Sequence, residues 1–272
     1  MTSKDSEVTI FHSKTFFMKK YIHPSQRVGI TEAGDPAFNL DLFDNLYRAN
    51  IIITKNLTDA MIGKLVQHKD SIILHLTCTG HGGTALEPNV PKPEQNRVQL
   101  VKLLQAGFPA SHVVLRIDPI IPTTQGREVA YYVAALFANL GITRLRFSVL
   151  DMYNHVQKRF KENNMMIPYS SFHASLTSRT IILKGLQIVG KKYGYEIESC
   201  GEPDFDSHLP SVSCLSQKDI NILGLQDEIK LEASSQQRKT CSCPANKSEL
   251  IRKGRPHRCQ HQCLYCFWKD QD

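Results

Sequence analysis

The feature that most constrains the fold of this chain is a repeated alternation of short apolar runs with amphipathic segments. The apolar runs, many of them rich in β-branched residues, predict strands at residues 50–55, 71–77, 112–117, 144–150 and 195–199. The segments between and after them predict helices at residues 59–68, 93–107, 127–140 and 171–190. Repeated strand-then-helix units predict a mainly parallel sheet with right-handed crossovers.

The number of units predicts an incomplete barrel. Together with weaker strands at residues 7–12 and 27–31, the pattern gives about six βα units, fewer than the eight of a complete barrel. Short helices are expected at residues 40–48 and 216–223. We therefore expect an α/β fold, a partial TIM-like βα barrel over residues 1–224. An open doubly wound sheet is the alternative, although the chain has neither a GxGxxG sequence after the first strand nor a Walker loop.

Residues 225–272 differ from the rest and predict a linker followed by a metal-binding tail at the barrel mouth. Five of the eight cysteines lie in this segment: Cys241, Cys243, Cys259, Cys263 and Cys266. The chain starts without the layout of a secretory signal and has no apolar run of about 18 residues, so we expect a cytoplasmic protein without a membrane span. In such a protein, clustered cysteines bind metal more often than they form disulfides.

The positive charge of the chain is concentrated in the same tail. The net charge is +7, and the eight basic and three acidic residues from Arg238 to the end supply +5 of it. A basic segment suits an anionic partner such as nucleic acid or a phosphate-bearing ligand. The alternative is a solvated surface segment.

Polar and ionisable residues follow the predicted strands, and a glycine-rich loop follows one of them. The carboxyl ends of parallel strands meet at one edge, so together these residues predict a functional pocket there. Taken singly, each could be a helix cap or one half of an ion pair. The loop at residues 80–84 exposes backbone N–H groups that suit a phosphate or a carboxylate. The strand-end candidates are Lys55, Cys78, Glu87, Arg116, Asp118, Tyr153 and Glu198.

The most specific motif is Cys259-x-x-x-Cys263-x-x-Cys266. Three thiolates at these spacings can surround one face of an iron–sulfur cube. Zinc is the alternative metal, with Cys241, Cys243 and His261 available to complete a tetrahedral set. Cys243 is also the candidate for a fourth cluster ligand.

This motif, with an aromatic residue before its last cysteine, resembles the cluster motif of radical S-adenosylmethionine enzymes, whose usual fold is a partial barrel of six βα units. In those enzymes the motif normally follows the first strand, whereas here it lies at the end of the chain. As a whole the chain resembles a bacterial family of uncharacterised proteins, domain-of-unknown-function family eighteen-forty-eight. Some relatives are labelled as similar to spore photoproduct lyase. The matching stretches are residues 54–56, 79–91, 116–120, 148–153 and 259–266.

The resemblance implies roles for individual residues. Cys259, Cys263 and Cys266 would hold a [4Fe–4S] cluster, whose fourth iron would bind S-adenosylmethionine, and a flavodoxin or ferredoxin would be the reductant. Tyr265 would lie beside the adenine. The amino group would be bound by Gly82, Gly83 and Glu87, in an order that departs from the usual pattern. Arg116, Asp118 and Glu198 would contact ribose, carboxylate or substrate, and the hydrogen-atom relay would be Cys78, Cys200 or Tyr153.

Two functions follow from these observations. The first is a radical S-adenosylmethionine enzyme acting on an unknown substrate, which includes nucleic-acid repair or modification. The second is a nucleic-acid-binding protein stabilised by zinc or by a closed four-cysteine cluster, without radical chemistry. A fourth thiolate from Cys241 or Cys243 would favour the second function, because it would leave S-adenosylmethionine no iron to bind.

Overall fold

The structure, a computed structural model, describes residues 21–205, 209, 212–234, 241–251 and 259–269. Within these residues all strand pairs of a seven-stranded sheet are parallel, and the strand order is β6-β5-β4-β3-β2-β1-β7. The strands are β1 (Val28–Ile30), β2 (Asn50–Thr54), β3 (Ile72–Thr77), β4 (Val113–Ile120), β5 (Arg144–Val149), β6 (Glu196–Ser199) and β7 (Lys247–Glu249).

Six α-helices accompany the sheet in the described residues. They are α1 (Asp59–Gln67), α2 (Pro93–Gln105), α3 (Thr124–Leu136), α4 (Asn154–Glu162), α5 (Leu176–Tyr193) and α6 (Gln217–Ile222). Local sequence sets the ends of α5. The Ser175 side chain accepts the Ser178 N–H at its start, and Gly194 ends it in the left-handed region at φ 77°. In this part of the chain no helix is both long and apolar enough to cross a membrane.

The strand order distinguishes between the two expected architectures. Strands β1 to β6 lie in the sheet in the order in which they occur in the chain. In a doubly wound sheet the order reverses part of the way across. Here β1 to β6 run in one direction, and of the described strands only β7 returns to the far side of β1. The parallel α/β class is therefore confirmed. The sheet is open, with β6 and β7 at its edges among the described strands, so closure into a barrel is not observed.

Most elements lie within a few residues of their predicted positions, and the differences are local. Residues 40–48 contain a 3-10 helix (Leu40–Asn45) instead of an α-helix. Helix α4 and strand β7 were not predicted. Strand β7 is the tripeptide Lys-Ser-Glu, which has no apolar pattern, and it forms because it pairs with β1. The tail thus supplies a strand to the main sheet. The strand candidate at residues 7–12 lies outside the described residues.

Both faces of the sheet are covered. One apolar cluster packs the helices on the sheet through residues such as Ile52, Leu74 and Leu115. The other contains Ile51 and Ile73 from alternate positions of the same strands. Strands buried on both faces read as continuous apolar runs, which explains why β2 and β3 could be recognised in the sequence.

Beside the second cluster lies a network of buried charges. Arg144 and Arg146 of β5 pair with Glu198 of β6 at 2.9 and 2.8 Å, and Arg144 also contacts Asp219 of α6 at 2.8 Å. All four side chains are almost fully buried. Arg146 also donates to the backbone carbonyl of Cys214 at 3.2 Å, which fixes the loop before α6. A buried charge is tolerated only with partners, so the members depend on one another.

We predict that Glu198→Gln lowers the free energy of unfolding by about 3–5 kcal/mol, because it removes the carboxylate with which two buried arginines pair. The matched control is Glu196→Gln on the same strand. Glu196 is exposed and pairs with Lys218 at the surface, so this change costs about 1 kcal/mol or less. Urea unfolding of both variants is the measurement. An equal loss of unfolding free energy in the two variants would contradict a structural role for the buried network.

Candidate metal centre

A cavity of about 480 Å³ lies where the carboxyl ends of the strands meet the cysteine-rich tail. This volume is typical of small-molecule sites. Residues at or after the strand ends form one side: Thr31, Glu32, Asp35, Thr54, Lys55, Thr77, Arg116, Asp118, Ser148, Asp151, Tyr153, Cys200 and Glu202. Tail residues form much of the rest: Cys241, Lys247, Cys259, His261, Cys263, Tyr265, Cys266, Phe267 and Trp268.

All three cysteines of the CxxxCxxC motif line this cavity. Cys263 is buried, Cys266 is half-buried and Cys259 is exposed. Burial raises the pKa of the Cys263 thiol to about 12, although the nearby Lys55 ammonium acts in the opposite direction. Without a metal this thiol stays protonated near neutral pH, whereas a bound metal displaces the proton. The three residues could therefore hold a metal centre in the cavity wall.

Backbone contacts fix the cysteine motif against the body of the protein. The guanidinium of Arg159, on α4, donates to the carbonyls of Cys263, at 3.5 Å, and of Cys266. On the other side, the Leu264 N–H donates to the Leu86 carbonyl at 3.0 Å. Arg159 was not recognised in the sequence, because α4 itself was not predicted.

His261, inside the same motif, is an anchor in this structure. Its Nε2 lies 2.8 Å from an Asp35 carboxylate oxygen, and its Nδ1 lies 3.2 Å from the Asn89 carbonyl. The ring is 1% exposed. Both partners are acceptors, so both ring nitrogens are occupied by contacts within the protein. This conformation does not support the expectation that His261 completes a zinc site.

Lys55, which follows β2, contacts the side chains of both Tyr265 and Glu87. The Lys55 ammonium lies 2.6 Å from a Glu87 carboxylate oxygen and 2.9 Å from the Tyr265 hydroxyl, which itself donates to Glu87. Burial raises the pKa of Glu87, but Lys55 and the hydrogen bonds from Tyr265 and Thr79 together lower it below its usual value, so the carboxyl stays ionised. Tyr265 and Lys55 line the cavity and Glu87 lies behind them.

The glycine-rich loop closes on itself beside this group. A Cβ on Gly82 would lie 2.0 Å from the Pro91 carbonyl oxygen, so this position requires glycine. The Gly83 N–H donates to the Glu87 carbonyl at 3.0 Å. Neither glycine belongs to the lining of the cavity. The loop therefore lies near the tail, but the Gly83 N–H already donates within the loop. The structure does not show the amino-group contact expected of Gly82, Gly83 and Glu87.

The structure divides the other predicted residues into two groups. Arg116, Asp118 and Tyr153 line the cavity, and Arg116 forms an ion pair with Asp118. Glu198 belongs to the buried charge network instead. Cys78 lies in the apolar core outside the cavity lining, and burial raises its pKa to about 12.

Cys243 lies in a different group from the motif cysteines. Its Sγ, the Cys214 Sγ and a Glu32 carboxylate oxygen all lie within 4.8 Å of one another. Cys200, one of the three candidate hydrogen-atom relays, lines the cavity, and its sulfur lies 3.7 Å from that of Cys214. These cysteines are scattered in the sequence, so only the folded chain could reveal the grouping.

Glu202, one of the polar residues that follow the predicted strands, lines the cavity, although no individual role was predicted for it. It is 3% exposed. Burial raises its pKa from 4.5 to about 7, against the opposing effects of the Val149 N–H and Arg179. A carboxyl group that titrates near neutral pH inside a cavity is a candidate for proton transfer. The signal in the sequence was its position shortly after β6.

The fold and the site together define a parallel α/β protein with a cavity lined by cysteines that could bind metal. The chain matches the family model described as Domain of unknown function (DUF1848) over residues 38–268. The chain therefore belongs to this family. No curated protein and no solved structure matches it.

We predict that wild type loses stability relative to Glu202→Gln as the pH rises from about 4.5 to about 7. In this interval the native Glu202 keeps its proton while the unfolded chain releases it, so the unfolded state gains relative stability. Urea unfolding at several pH values measures the difference. Glu162→Gln, a change at an exposed glutamate of α4, is the control. A pH-independent difference for Glu202→Gln would contradict the raised pKa.

Proposed function

We propose that this protein is an iron–sulfur enzyme of the radical S-adenosylmethionine type, with a [4Fe–4S] cluster bound by Cys259, Cys263 and Cys266. The observation that carries the proposal is that all three cysteines line one cavity at the carboxyl edge of a parallel sheet. This edge is where parallel α/β enzymes bind their substrates. The resemblance of the motif supports the choice of iron over zinc.

The grouping of the thiols supports a cluster with one open iron. Cys243, the candidate fourth ligand, is grouped with Cys214 and Glu32 and lies outside the cavity lining. The side chain of Cys241 interacts with Cys243. Cys200, Cys214 and Cys241 also line the cavity, but their sulfur contacts are with the group around Cys243. A cluster held by the three motif cysteines alone leaves one iron for a small-molecule ligand. Held by Cys259, Cys263 and Cys266, such a cluster would supply the electron for reductive cleavage of S-adenosylmethionine.

The protein's own residues have separate tasks in this proposal. Lys55 places a positive charge near Cys263 and so favours the thiolate form that a metal needs. Arg159 holds the carbonyls of Cys263 and Cys266 and orients the motif. The ion pair of Arg116 with Asp118 offers both charges to a polar ligand at the strand ends.

The aromatic part of the cavity suits an organic ligand. Tyr153 packs edge-to-face on Phe267, with ring centroids 4.8 Å apart, and Phe267 packs on Trp268 at 5.2 Å. All three line the cavity together with Tyr265. Apolar rings beside a few polar groups are typical of sites that bind a flat heterocycle and exclude water.

The test of this function is anaerobic reconstitution of the full chain with iron and sulfide. We expect about four irons per chain and an electron paramagnetic resonance signal, after reduction, that changes when S-adenosylmethionine is added. Cys263→Ser is expected to lose most of the iron. The matched control is Cys78→Ala, a change at a buried cysteine outside the cavity, which is expected to retain it. Equal iron in both variants, or a signal unaffected by S-adenosylmethionine, would overturn the proposal.

The second candidate function is nucleic-acid binding without radical chemistry, and the positive charge of the tail favours it. If nucleic acid is the substrate or partner, affinity for DNA or RNA falls steeply as salt rises, because binding releases counterions. Fluorescence anisotropy with labelled oligonucleotides between low and physiological salt measures this. Absence of binding at low salt would exclude nucleic acid in either role.

A further inference from the structure

Four cysteines outside the CxxxCxxC motif form a connected series of contacts at the edge of the cavity, and two of them, Cys214 and Cys243, lie in one group with Glu32. The sulfur atoms of Cys200 and Cys214 are 3.7 Å apart. Cys214 also interacts with Cys243, which in turn interacts with Cys241. The carboxylate of Glu32 completes the group, within 4.8 Å of the sulfurs of Cys214 and Cys243.

These side chains come from separate segments that the fold brings together. Glu32 follows β1, Cys200 follows β6, and Cys214 lies before α6. Cys241 and Cys243 precede β7, whose pairing with β1 carries them to Glu32. Such a convergence is not explained by local sequence, and it leaves three of the four thiols buried.

The ligand atoms of Glu32, Cys214 and Cys243, all within 4.8 Å of one another, are close enough to share one ion. Zinc binds thiolate sulfur at about 2.3 Å in tetrahedral geometry, which places two ligand sulfurs about 3.8 Å apart. The 3.7 Å between Cys200 and Cys214 matches this separation and is far longer than the roughly 2.0 Å of a disulfide bond. An iron–sulfur cube would place its thiolates farther apart, because each binds a different iron.

Positive charges beside the group would balance ionised ligands. The Arg116 guanidinium lies 3.7 Å from the Cys214 sulfur. The Lys247 ammonium lies 2.7 Å from the Glu32 carboxylate, and both residues line the cavity. Thiolates bound to a divalent ion carry excess negative charge, which such neighbours stabilise in a buried place.

We infer that Glu32, Cys214 and Cys243 are the core of a zinc site, separate from the motif cysteines, with the fourth position filled by Cys200 or Cys241. The ion joins the loop before α6 to β7 and β1. Its role is structural, because Glu32, Cys214 and Cys243 connect three separate segments of the chain. This inference does not depend on radical chemistry at the motif cysteines.

The test uses the full chain with Cys259→Ala, Cys263→Ala and Cys266→Ala combined, which removes the motif ligands. We expect it to bind about one zinc per chain, measured by mass spectrometry of metals after dialysis. Adding Cys214→Ser and Cys243→Ser is expected to abolish this zinc, whereas adding Cys78→Ala is expected to leave it. Zinc absent from the triple variant, or retained after both serine changes, overturns the inference.

A second measurement does not need the added serine changes. X-ray absorption at the zinc edge of the triple variant is expected to show a mixed sulfur and oxygen shell, with Zn–S near 2.3 Å. A shell of nitrogen and oxygen alone, or iron in place of zinc, overturns the assignment. Loss of iron binding by the triple variant with zinc retained supports both proposals, whereas iron absent from wild type overturns only the proposed function.

Discussion

The carboxylate of Asp35 joins the parts of the protein on which the site depends. It accepts hydrogen bonds from the Thr54 hydroxyl and the Lys55 N–H at the end of β2, each at 2.8 Å, and from the Ala37 N–H at 2.9 Å. Its second oxygen also lies 2.8 Å from His261, in the middle of the cysteine motif. The Asp35 carboxylate is buried, so loss of these partners would leave its negative charge without compensation. Through Asp35 the tail is held at the carboxyl edge of the sheet, where its thiols face the cavity.

The sheet also determines which buried charged side chains lie beside one another. The direct pairing of Arg146 with Glu198 across β5 and β6 follows from strand register. The same arginine fixes the backbone at Cys214, so a network that stabilises the fold also positions a candidate zinc ligand. On the other side of the cavity, Lys55 contacts Glu87 and Tyr265 and so holds the segment that contains the motif cysteines. The two proposed metal sites thus border one cavity but rest on different ion pairs.

Much of the fold could be predicted because its signals are local. Strands β2 and β3 are continuous apolar runs, and the three motif cysteines are close in sequence. The rest depends on long-range contacts. Strand β7 has no apolar pattern of its own and forms only because it pairs with β1. Cys243 lies beside Cys214 only in the folded chain. Glu198 follows the strand-end rule in sequence, yet strand alternation places it beside two arginines instead of in the cavity.

Anomalous X-ray diffraction at the iron edge, from crystals of the reconstituted full chain, would locate the bound metal. We expect a strong iron signal in the cavity, bounded by Cys259, Cys263 and Cys266, with no iron between Cys214 and Cys243. The same crystals would then show whether a ligand occupies the open iron. Iron signal elsewhere, or motif thiols without any metal beside them, would contradict the assignment of this cavity as the metal centre.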